Sequence, residues 1–420
     1  MMRSVTWHQK GGPMIGSLYL HVPFCARKCA YCDFASWATP AGDPLMTRYS
    51  HALEAQLKEV GSLGLLDACE TAYVGGGTPT LLGEKGLGEL VSTLREMAPR
   101  VDELTCEANP DSLTNTVLHA VCEAGATRLS VGVQSLVDGE LEELGRLHDS
   151  ACARERVRAA LASGLDVSVD LMCATPGQTD ESWTRTLEEA LGLGAGHVSV
   201  YPLQIEEGTA LDVRYANDPC AWNDDAVQAG RMTQAQVVLE GHGFSRYEVA
   251  SYAMPGKQCR HNRAYWTGIS YLGLGTAASS MLTLDEYLRL RSRAPQLPLP
   301  PGGCERIRLT VASDRQALAE DPRISGLSFS LEFLTGPQAV AEDLMLGARL
   351  VEGLDLGLVS RAHETFGSSL DAVLEGLLSD GLLTERGGRL APTDRGWLLG
   401  NELFGALWGL APGEVAAARC

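Results

Sequence analysis

Three closely spaced cysteines are the residues of this chain whose type and spacing most directly suggest chemistry. Cys25, Cys29 and Cys32 follow the run LYLHVP, which has the composition of a short strand. Three thiolates can hold a zinc ion if His21 or a water molecule completes the tetrahedron. They can also hold three irons of a 4Fe–4S cluster and leave the fourth iron without a protein ligand. Structural zinc sites favour paired CxxC hairpins, so this single C-x3-C-x2-C loop favours the cluster.

A glycine run is the second chemical feature. An iron without a protein ligand can bind the amine and carboxylate of an amino acid as a five-membered chelate. The stretch VGGGTPT at 74–80 lets backbone groups approach such a molecule closely, because its glycines have no Cβ. The alternative is that it forms only a tight turn between a strand and a helix. It does not match a phosphate-binding P-loop, since no Gly-Lys-Ser follows.

The elements that must position these residues are strands that alternate with helices. Between residues 18 and 201, β-rich runs such as TAYVGG, ELTCEA and RLSVGV alternate with helical stretches that end near glycine. A helix from about Pro44 to Leu63 starts after Asp43 and has one apolar face. Strand–helix–strand units at a spacing of roughly thirty residues indicate a parallel sheet. Five or six such units predict an open or partial β/α barrel.

Polar residues recur where these strands end. Glu107 and Asn109 end the third strand, Gln134 ends the fourth and Asp170 lies on the fifth. The carboxyl ends of parallel strands meet at one edge, where catalytic and binding groups collect, so we expect a single site there. Glu107 and Asp170 could instead be ordinary caps of strand ends.

The chain is expected to have four parts: an N-terminal tail at 1–16, a barrel core at 17–285, a linker or insertion at 286–329, and a C-terminal helical domain at 330–415. The linker is inferred from a segment rich in proline, arginine and serine with poor periodicity. In the last part, helices surround two β-like runs joined by Gly387 and Gly388, which resembles a winged-helix module. Residues 331–420 contain 13 acidic and 6 basic residues, a balance that does not suit DNA phosphates.

Composition excludes several classes of function. The net charge is −19, from 34 basic and 53 acidic residues, which argues against nucleic acid and against anionic membranes as partners. No apolar run approaches the ~20 residues that span a bilayer. We therefore expect a cytoplasmic protein without an integral membrane segment. The other nine of the 12 cysteines are scattered and are expected to be buried thiols in a reducing compartment.

Taken together, the motifs resemble the radical S-adenosylmethionine proteins and, within them, the oxygen-independent coproporphyrinogen III oxidase-like group. The matching pieces run in order from Leu18 to about Thr209: LYLHVPFCARKCAYCDF, GGGTPT, CEANP, SVGVQS, GRLHD, SVDLMCATPGQT and YPLQIEEGT. The C-terminal part resembles the extra domain of the same group. The resemblance implies an α/β fold, a partial (β/α)6 radical SAM barrel followed by a helical, winged-helix-like domain.

The resemblance also implies cofactors and the residues that bind them. Cys25, Cys29 and Cys32 would ligate a 4Fe–4S cluster whose fourth iron takes the amine and carboxylate of S-adenosylmethionine. Eight residues would contact S-adenosylmethionine: Tyr19, Gly76, Gly77, Thr78, Glu107, Gln134, Arg146 and Asp170. One electron from the reduced cluster would break a carbon–sulfur bond and give methionine and a 5′-deoxyadenosyl radical.

Two features favour the heme-chaperone branch of this group, HemW, over its porphyrinogen-oxidising enzymes. Those enzymes have a further cysteine two residues after the third cluster cysteine, where this chain has Phe34, and a longer N-terminal arm. The chaperone branch carries HNxxYW, present here as HNRAYW at 261–266. This branch implies heme as cargo and recipient hemoproteins as partners, with no catalytic residue assigned. The alternative is a coproporphyrinogen III dehydrogenase that forms protoporphyrinogen IX by radical oxidative decarboxylation.

The role of His261 has two interpretations. Its imidazole could be an axial ligand of heme iron, with Cys259 as a candidate second ligand. Judged from the residues alone, HNRAYW could instead pack the end of the barrel, with His261 only hydrogen-bonded; the resemblance favours heme contact. Two positions depart from the group's pattern, because Ser279 stands where a histidine is usual and Ala174 where a glycine is usual.

Overall fold

The computed structural model describes residues 15–217 and 224–420, and its main feature is one long mixed sheet. Most of the predicted N-terminal tail, and Cys220, lie outside the described residues. The strands are β1 Ser17–Val22, β2 Phe24–Cys25, β3 Trp37–Ala38, β4 Thr71–Gly76, β5 Glu103–Ala108, β6 Arg128–Gln134, β7 Asp166–Cys173, β8 His197–Pro202, β9 Ser245–Arg246, β10 Ser251–Ala253, β11 Tyr271–Leu274, β12 Ser279–Thr283, β13 Cys304–Val311, β14 Phe329–Thr335, β15 Leu383–Arg386, β16 Arg389–Pro392 and β17 Ala416–Arg419.

The helices lie mainly between these strands. They are α1 Pro44–Ser62, α2 Gly83–Met97, α3 Asn115–Glu123, α4 Asp138–Glu143, α5 Ser150–Ala162, α6 Asp180–Leu193, α7 Ala210–Tyr215, α8 Asp225–Gly241, α9 Arg260–Trp266, α10 Leu284–Arg291, α11 Arg315–Glu320, α12 Gly336–Gly347, α13 Leu356–Phe366, α14 Ser368–Ser379, α15 Asp394–Leu398 and α16 Gly400–Trp408. Within the described ranges, no helix is both long and apolar enough to cross a membrane.

Six parallel strands form the centre of the sheet and confirm the predicted partial barrel. They lie side by side in chain order as β1, β4, β5, β6, β7 and β8, with helices in each connection. Helix α1 begins as predicted: Pro44 occupies the first turn and the N–H of Leu45 donates to the carboxylate of Asp43 (2.9 Å). Its buried face, which includes Tyr49 and Leu53, packs in the core.

The range 286–329, predicted as a linker or insertion, contains part of the main sheet. It contains β13, which pairs antiparallel with β12 and β14 and extends the sheet beyond β11. One face of β13 buries Ile307 and Leu309 in the core. On the other face, Arg308 forms an ion pair with Glu342 of α12. The alternation of apolar residues with arginines in CERIRLTV is a strand pattern, which the sequence analysis missed because the prolines and glycines of PLPPGG precede it.

The C-terminal helical unit matches the predicted winged-helix-like arrangement. Helices α12 to α16 pack around a small core that includes Leu344, Leu370 and Leu403. The hairpin of β15 and β16 turns at Gly387 and Gly388, whose φ values of 59° and 74° suit a two-residue hairpin turn. Strand β17 then pairs with β14, so this unit is joined to the main sheet at both ends.

Candidate functional site

The three cysteines lie in the loop after β1, at the carboxyl ends of the parallel strands. Cys25, Cys29 and Cys32 are free thiols of intermediate exposure, and the N–H of Thr39 anchors the loop by donating to the carbonyl of Cys25 (2.8 Å). Three partly exposed thiols in one loop are a donor set that a metal centre with three protein ligands can use.

Two hydrogen-bond donors are directed at these sulfur atoms. The hydroxyl of Thr78 donates to Sγ of Cys25 (3.6 Å), and Nη1 of Arg146 donates to Sγ of Cys29 (3.3 Å). Burial raises the pKa of the Cys25 thiol and of the Cys32 thiol. A bound metal, helped by such donors, would favour the thiolate form that burial disfavours.

Asn109 connects the two donors, a role that the sequence analysis did not assign. Its Nδ2 donates to Oγ1 of Thr78 (3.0 Å), and its Oδ1 accepts from Nη2 of Arg146 (2.7 Å). A continuous chain of hydrogen bonds therefore runs from Cys25 through these three side chains to Cys29. The signal was present in CEANP, where Asn109 stands two residues after Glu107, but a side-chain amide without a charge gives no specific prediction.

Glu107 closes the glycine turn after β4. Its Oε2 accepts the N–H of Gly76 (2.9 Å), and its Oε1 accepts the hydroxyl of Tyr73 (2.8 Å). Burial raises the pKa of this carboxyl to about 7, although both hydrogen bonds act against the rise. The nearby charge of Asp170 adds to it. A cation bound here would find two partly buried carboxyl groups.

Packing within the protein explains why Gly76 and Gly77, which were predicted to contact a ligand, are glycines. Gly76 has a φ of 114°, and a Cβ at this position would lie 2.4 Å from the ring of His21. A Cβ at Gly77 would lie 2.6 Å from the carbonyl oxygen of Phe24. The turn alone therefore accounts for both glycines, and their contact with a ligand stays a prediction.

Gln134 and Asp170 lie in the same region of the barrel. A Cβ at Gly132 would be 3.0 Å from Nε2 of Gln134 and 3.4 Å from Nη2 of Arg146, so these side chains are neighbours. Gln134 has a φ of 66° at a register shift between β6 and β7, which redirects its side chain. Asp170 accepts a hydrogen bond from the hydroxyl of Ser130 (2.8 Å), and burial raises the pKa of its carboxyl.

Aromatic rings fill the barrel between this end and the opposite one. The hydroxyl of Tyr19 and Nδ1 of His21 are hydrogen-bonded (2.9 Å). The Tyr19 ring stacks on Tyr73 with centroids 6.3 Å apart, and Tyr73 stacks on His261 at 5.2 Å. Burial raises the pKa of Tyr19 well above its usual value, so its hydroxyl stays protonated. The predicted site residue Tyr19 therefore belongs to a column of rings inside the barrel.

His261 lies at the amino ends of the strands, away from the cysteines. Oε1 of Glu103, the first residue of β5, accepts the backbone N–H of His261 (2.8 Å). The imidazole is 1% exposed, with Nδ1 hydrogen-bonded to Oγ1 of Thr71 (3.0 Å) and Nε2 to the hydroxyl of Tyr265 (3.1 Å). Burial lowers the pKa of His261 to about 3. Glu103 and Glu107 are four residues apart on the same strand, a distance of about 13 Å along it. This distance separates the two ends of the barrel.

In this structure His261 does not face an open surface, and its contact with a heme stays a prediction. In the structure neither ring nitrogen is available to an iron, since both are already hydrogen-bonded in a buried setting. Cys259 is also buried, its thiol 3.5 Å from Oε1 of Glu103, and burial raises the pKa of this thiol to about 12. The contacts match the other interpretation, in which HNRAYW packs the end of the barrel.

Helix α9 also joins the barrel to the C-terminal helical unit. The indole N–H of Trp266 donates to Oε2 of Glu248 (3.2 Å), and the guanidinium of Arg349 lies 5.0 Å from the Trp266 ring. Arg263 pairs with Glu352 (2.7 Å). Residues of the HNRAYW motif therefore form contacts between the barrel and the C-terminal helical unit.

The two departures from the group's pattern have local explanations. Ser279 is exposed on β12, and its hydroxyl is hydrogen-bonded to that of Thr310 on β13 (2.9 Å). Ala174 has a φ of 56°, a left-handed conformation that glycine adopts without a steric penalty. Its N–H donates to Oε1 of Gln178 (2.8 Å), which supports this conformation.

Comparisons with known proteins agree with this architecture. The radical SAM superfamily model matches residues 19–190, and the HemN C-terminal domain model matches residues 334–399. The protein named heme chaperone HemW from Mycobacterium tuberculosis is 34% identical over 94% of this chain and 96% of its own length. The protein of the same name from Bacillus subtilis is 30% identical over 94% of this chain and 99% of its own length.

A solved structure shares the fold over nearly the whole chain. The coproporphyrinogen III oxidase HemN from Escherichia coli, a radical SAM enzyme, superimposes with a TM-score of 0.74 at 20% identity. The match covers 95% of this chain and 91% of that one. At this identity the likeness establishes the fold, whereas the relatives that match along almost their full length establish the family. The chain therefore belongs to the radical S-adenosylmethionine superfamily and, within it, to the HemW family.

Proposed function

We propose that this protein binds heme and transfers it to hemoproteins in the cytoplasm, as a heme chaperone. The observation that carries the proposal is the identity of 34% to a protein named heme chaperone HemW, over 94% of this chain. Phe34 supports it further, since the porphyrinogen-oxidising enzymes that the motifs resemble have a cysteine there.

The proposal includes a 4Fe–4S cluster and S-adenosylmethionine at the cysteine end of the barrel. Cys25, Cys29 and Cys32 would ligate the cluster, and the donor set fits, because three thiols in one loop leave a position for an external ligand. When bound, the reduced cluster can supply one electron to S-adenosylmethionine. Arg146, whose guanidinium bonds Cys29 and Asn109, would pair with the carboxylate of S-adenosylmethionine, and the carboxyl groups of Glu107 and Asp170 would suit an ammonium, a sulfonium or ribose hydroxyls.

His261 has a structural role in this proposal. It fixes α9 across the amino ends of β4 and β5 through Thr71, Tyr265 and the Glu103 carboxylate. Heme ligation would require the ring to leave a fully buried position and to give up a hydrogen bond. We therefore assign heme binding to another part of the surface.

A paired assay tests the proposal against the enzyme alternative. Protein with a reconstituted cluster is kept without oxygen, one portion is titrated with heme, and another is incubated with coproporphyrinogen III, S-adenosylmethionine and a reductant. The expected result is saturable heme binding, with no protoporphyrinogen formed. Protoporphyrinogen formation would replace the chaperone assignment with the dehydrogenase. A Cys25→Ser sample is the control for activity that does not need the cluster.

A further inference from the structure

The loop between β1 and α1 exposes aromatic side chains beside the cysteines. Phe34, two residues after Cys32, is 62% exposed, and Trp37 is 39% exposed. Neither is part of the buried core of the described chain. Large aromatic side chains that are exposed together and close to a functional site commonly mark a binding surface.

Cationic side chains accompany these two rings. The ammonium of Lys28 donates to the carbonyl of Phe34 (3.3 Å), and the guanidinium of Arg315 lies 5.3 Å from the ring of Trp37. Arg27 donates to the carbonyl of Gly145 (2.8 Å), which ties the loop to the segment after α4. Among the described residues, the ion pairs within 4.0 Å include none that joins Arg27, Lys28 or Arg315 to a carboxylate. We call Arg27, Lys28, Phe34, Trp37 and Arg315 the loop rim.

We infer that the loop rim is the surface on which heme docks. The inference rests on the proposed function and adds the location of the cargo. Heme is a flat apolar ring system with two carboxylate side chains. Exposed aromatic faces match the ring system, and cations without a carboxylate partner match the propionates.

The charge of the rest of the molecule strengthens this assignment. The chain has a net charge of −19, so a dianionic ligand is repelled by most of the surface and favoured where uncompensated cations gather. At the opposite end of the barrel, the two candidate ligands His261 and Cys259 are only 1% and 2% exposed. The loop rim combines exposure and apolar area with three cations, against the single exposed carboxylate of Asp33 in the same loop.

Heme titration of the cluster-loaded protein without oxygen tests the inference. The double variant Phe34→Ala, Trp37→Ala should bind heme at least about tenfold more weakly than wild type, because both ring contacts are lost. Leu299→Ala, at a side chain that is 69% exposed, is the matched control and should bind like wild type. Iron–sulfur absorbance is recorded for every sample, since Phe34 is close to Cys32.

The role of the cations is tested with heme dimethyl ester, which lacks the propionate charges. Wild type should bind the ester more weakly than heme. In the variant Lys28→Gln, Arg315→Gln this difference should shrink, because the residues that recognise the propionates are absent. An unchanged difference would refute the role of these cations.

These measurements distinguish a failure of the proposed heme-binding function from a failure of the proposed docking surface. Wild-type protein that binds no heme would refute the proposed function itself. Wild type that binds heme while the aromatic double variant binds it equally well, with its cluster intact, would refute the docking surface. If that variant keeps heme but no longer passes it to apomyoglobin, the loop rim contacts the recipient protein instead, and the inference is wrong.

Discussion

The two ends of the barrel differ in how their polar groups are satisfied. At the cysteine end, three thiols of intermediate exposure lie beside Phe34, which is 62% exposed. At the opposite end, both nitrogens of His261 are hydrogen-bonded and the ring is buried. In β/α barrels the carboxyl ends of the strands carry chemistry, and the amino ends contribute stability. This protein follows that division.

The comparison shows why a motif does not by itself identify a binding site. CARKCAYC and HNRAYW both combine residues that bind metals or stack on flat ligands. Only the first leaves its donor atoms in a partly exposed loop. In the second, Thr71, Tyr265 and Glu103 supply the partners that a ligand would otherwise supply.

Replacing the three cysteines tests the cysteine end of the barrel, and this change has the largest expected effect. In a Cys25→Ser, Cys29→Ser, Cys32→Ser variant we expect complete loss of the iron–sulfur absorbance after anaerobic reconstitution, because no thiolate remains in the loop. The free energy of unfolding of the metal-free protein should change by less than about 1 kcal/mol, since the thiols are not in the core. Chemical analysis of iron and sulfide, with urea unfolding, measures both. A variant that kept its cluster would place the ligands elsewhere.

Removing the imidazole of His261 tests the opposite end. The variant His261→Ala should lower the free energy of unfolding by about 3 kcal/mol, because it leaves a cavity and removes partners from Thr71 and Tyr265. Iron content and heme affinity should stay at wild-type values under conditions where the variant is folded. Circular dichroism during urea unfolding and a heme titration measure these quantities. Normal stability combined with lost heme binding would restore His261 as a ligand.

The raised pKa of Glu107 predicts that the stability of the cysteine end depends on pH. Its pKa in the folded protein is about 7, higher than in the unfolded chain, so the folded state binds the extra proton. The free energy of unfolding should therefore fall as pH rises from about 4.5 to 7, by about 3 kcal/mol from this group. The Glu107→Gln variant should lose most of this slope, and Glu96→Gln, at an exposed position, should keep it. An unchanged slope in Glu107→Gln would show that the carboxyl is ionised in the folded state.

The sequence predicted the elements whose patterns are local, and it failed where the partner is distant. Helix α1 followed from Asp43, Pro44 and one apolar face, and the six parallel strands followed from repeated β-rich runs. Strand β13 was missed although CERIRLTV alternates polar and apolar residues, because the preceding PLPPGG is typical of a loop; the pairing of Arg308 with Glu342, 34 residues away, could not be predicted from the sequence. The burial of His261 also depends on distant residues, since Thr71 lies 190 positions before it.

Asn109 is the residue whose linking role only the assembled structure could identify, and its replacement gives the smallest expected effect. Replacing it with alanine removes the link between Thr78 and Arg146, whose donors reach the sulfur atoms of Cys25 and Cys29. Less constrained donors hydrogen-bond less well to the cluster ligands, so the reduction potential should move to a more negative value. Iron content should be unchanged, because no ligand is removed. Redox titration followed by electron paramagnetic resonance measures the potential, with Asn115→Ala, which removes an exposed amide bonded to Arg156, as the control. A potential that matches wild type in Asn109→Ala would mean that Thr78 and Arg146 are held in place without the amide.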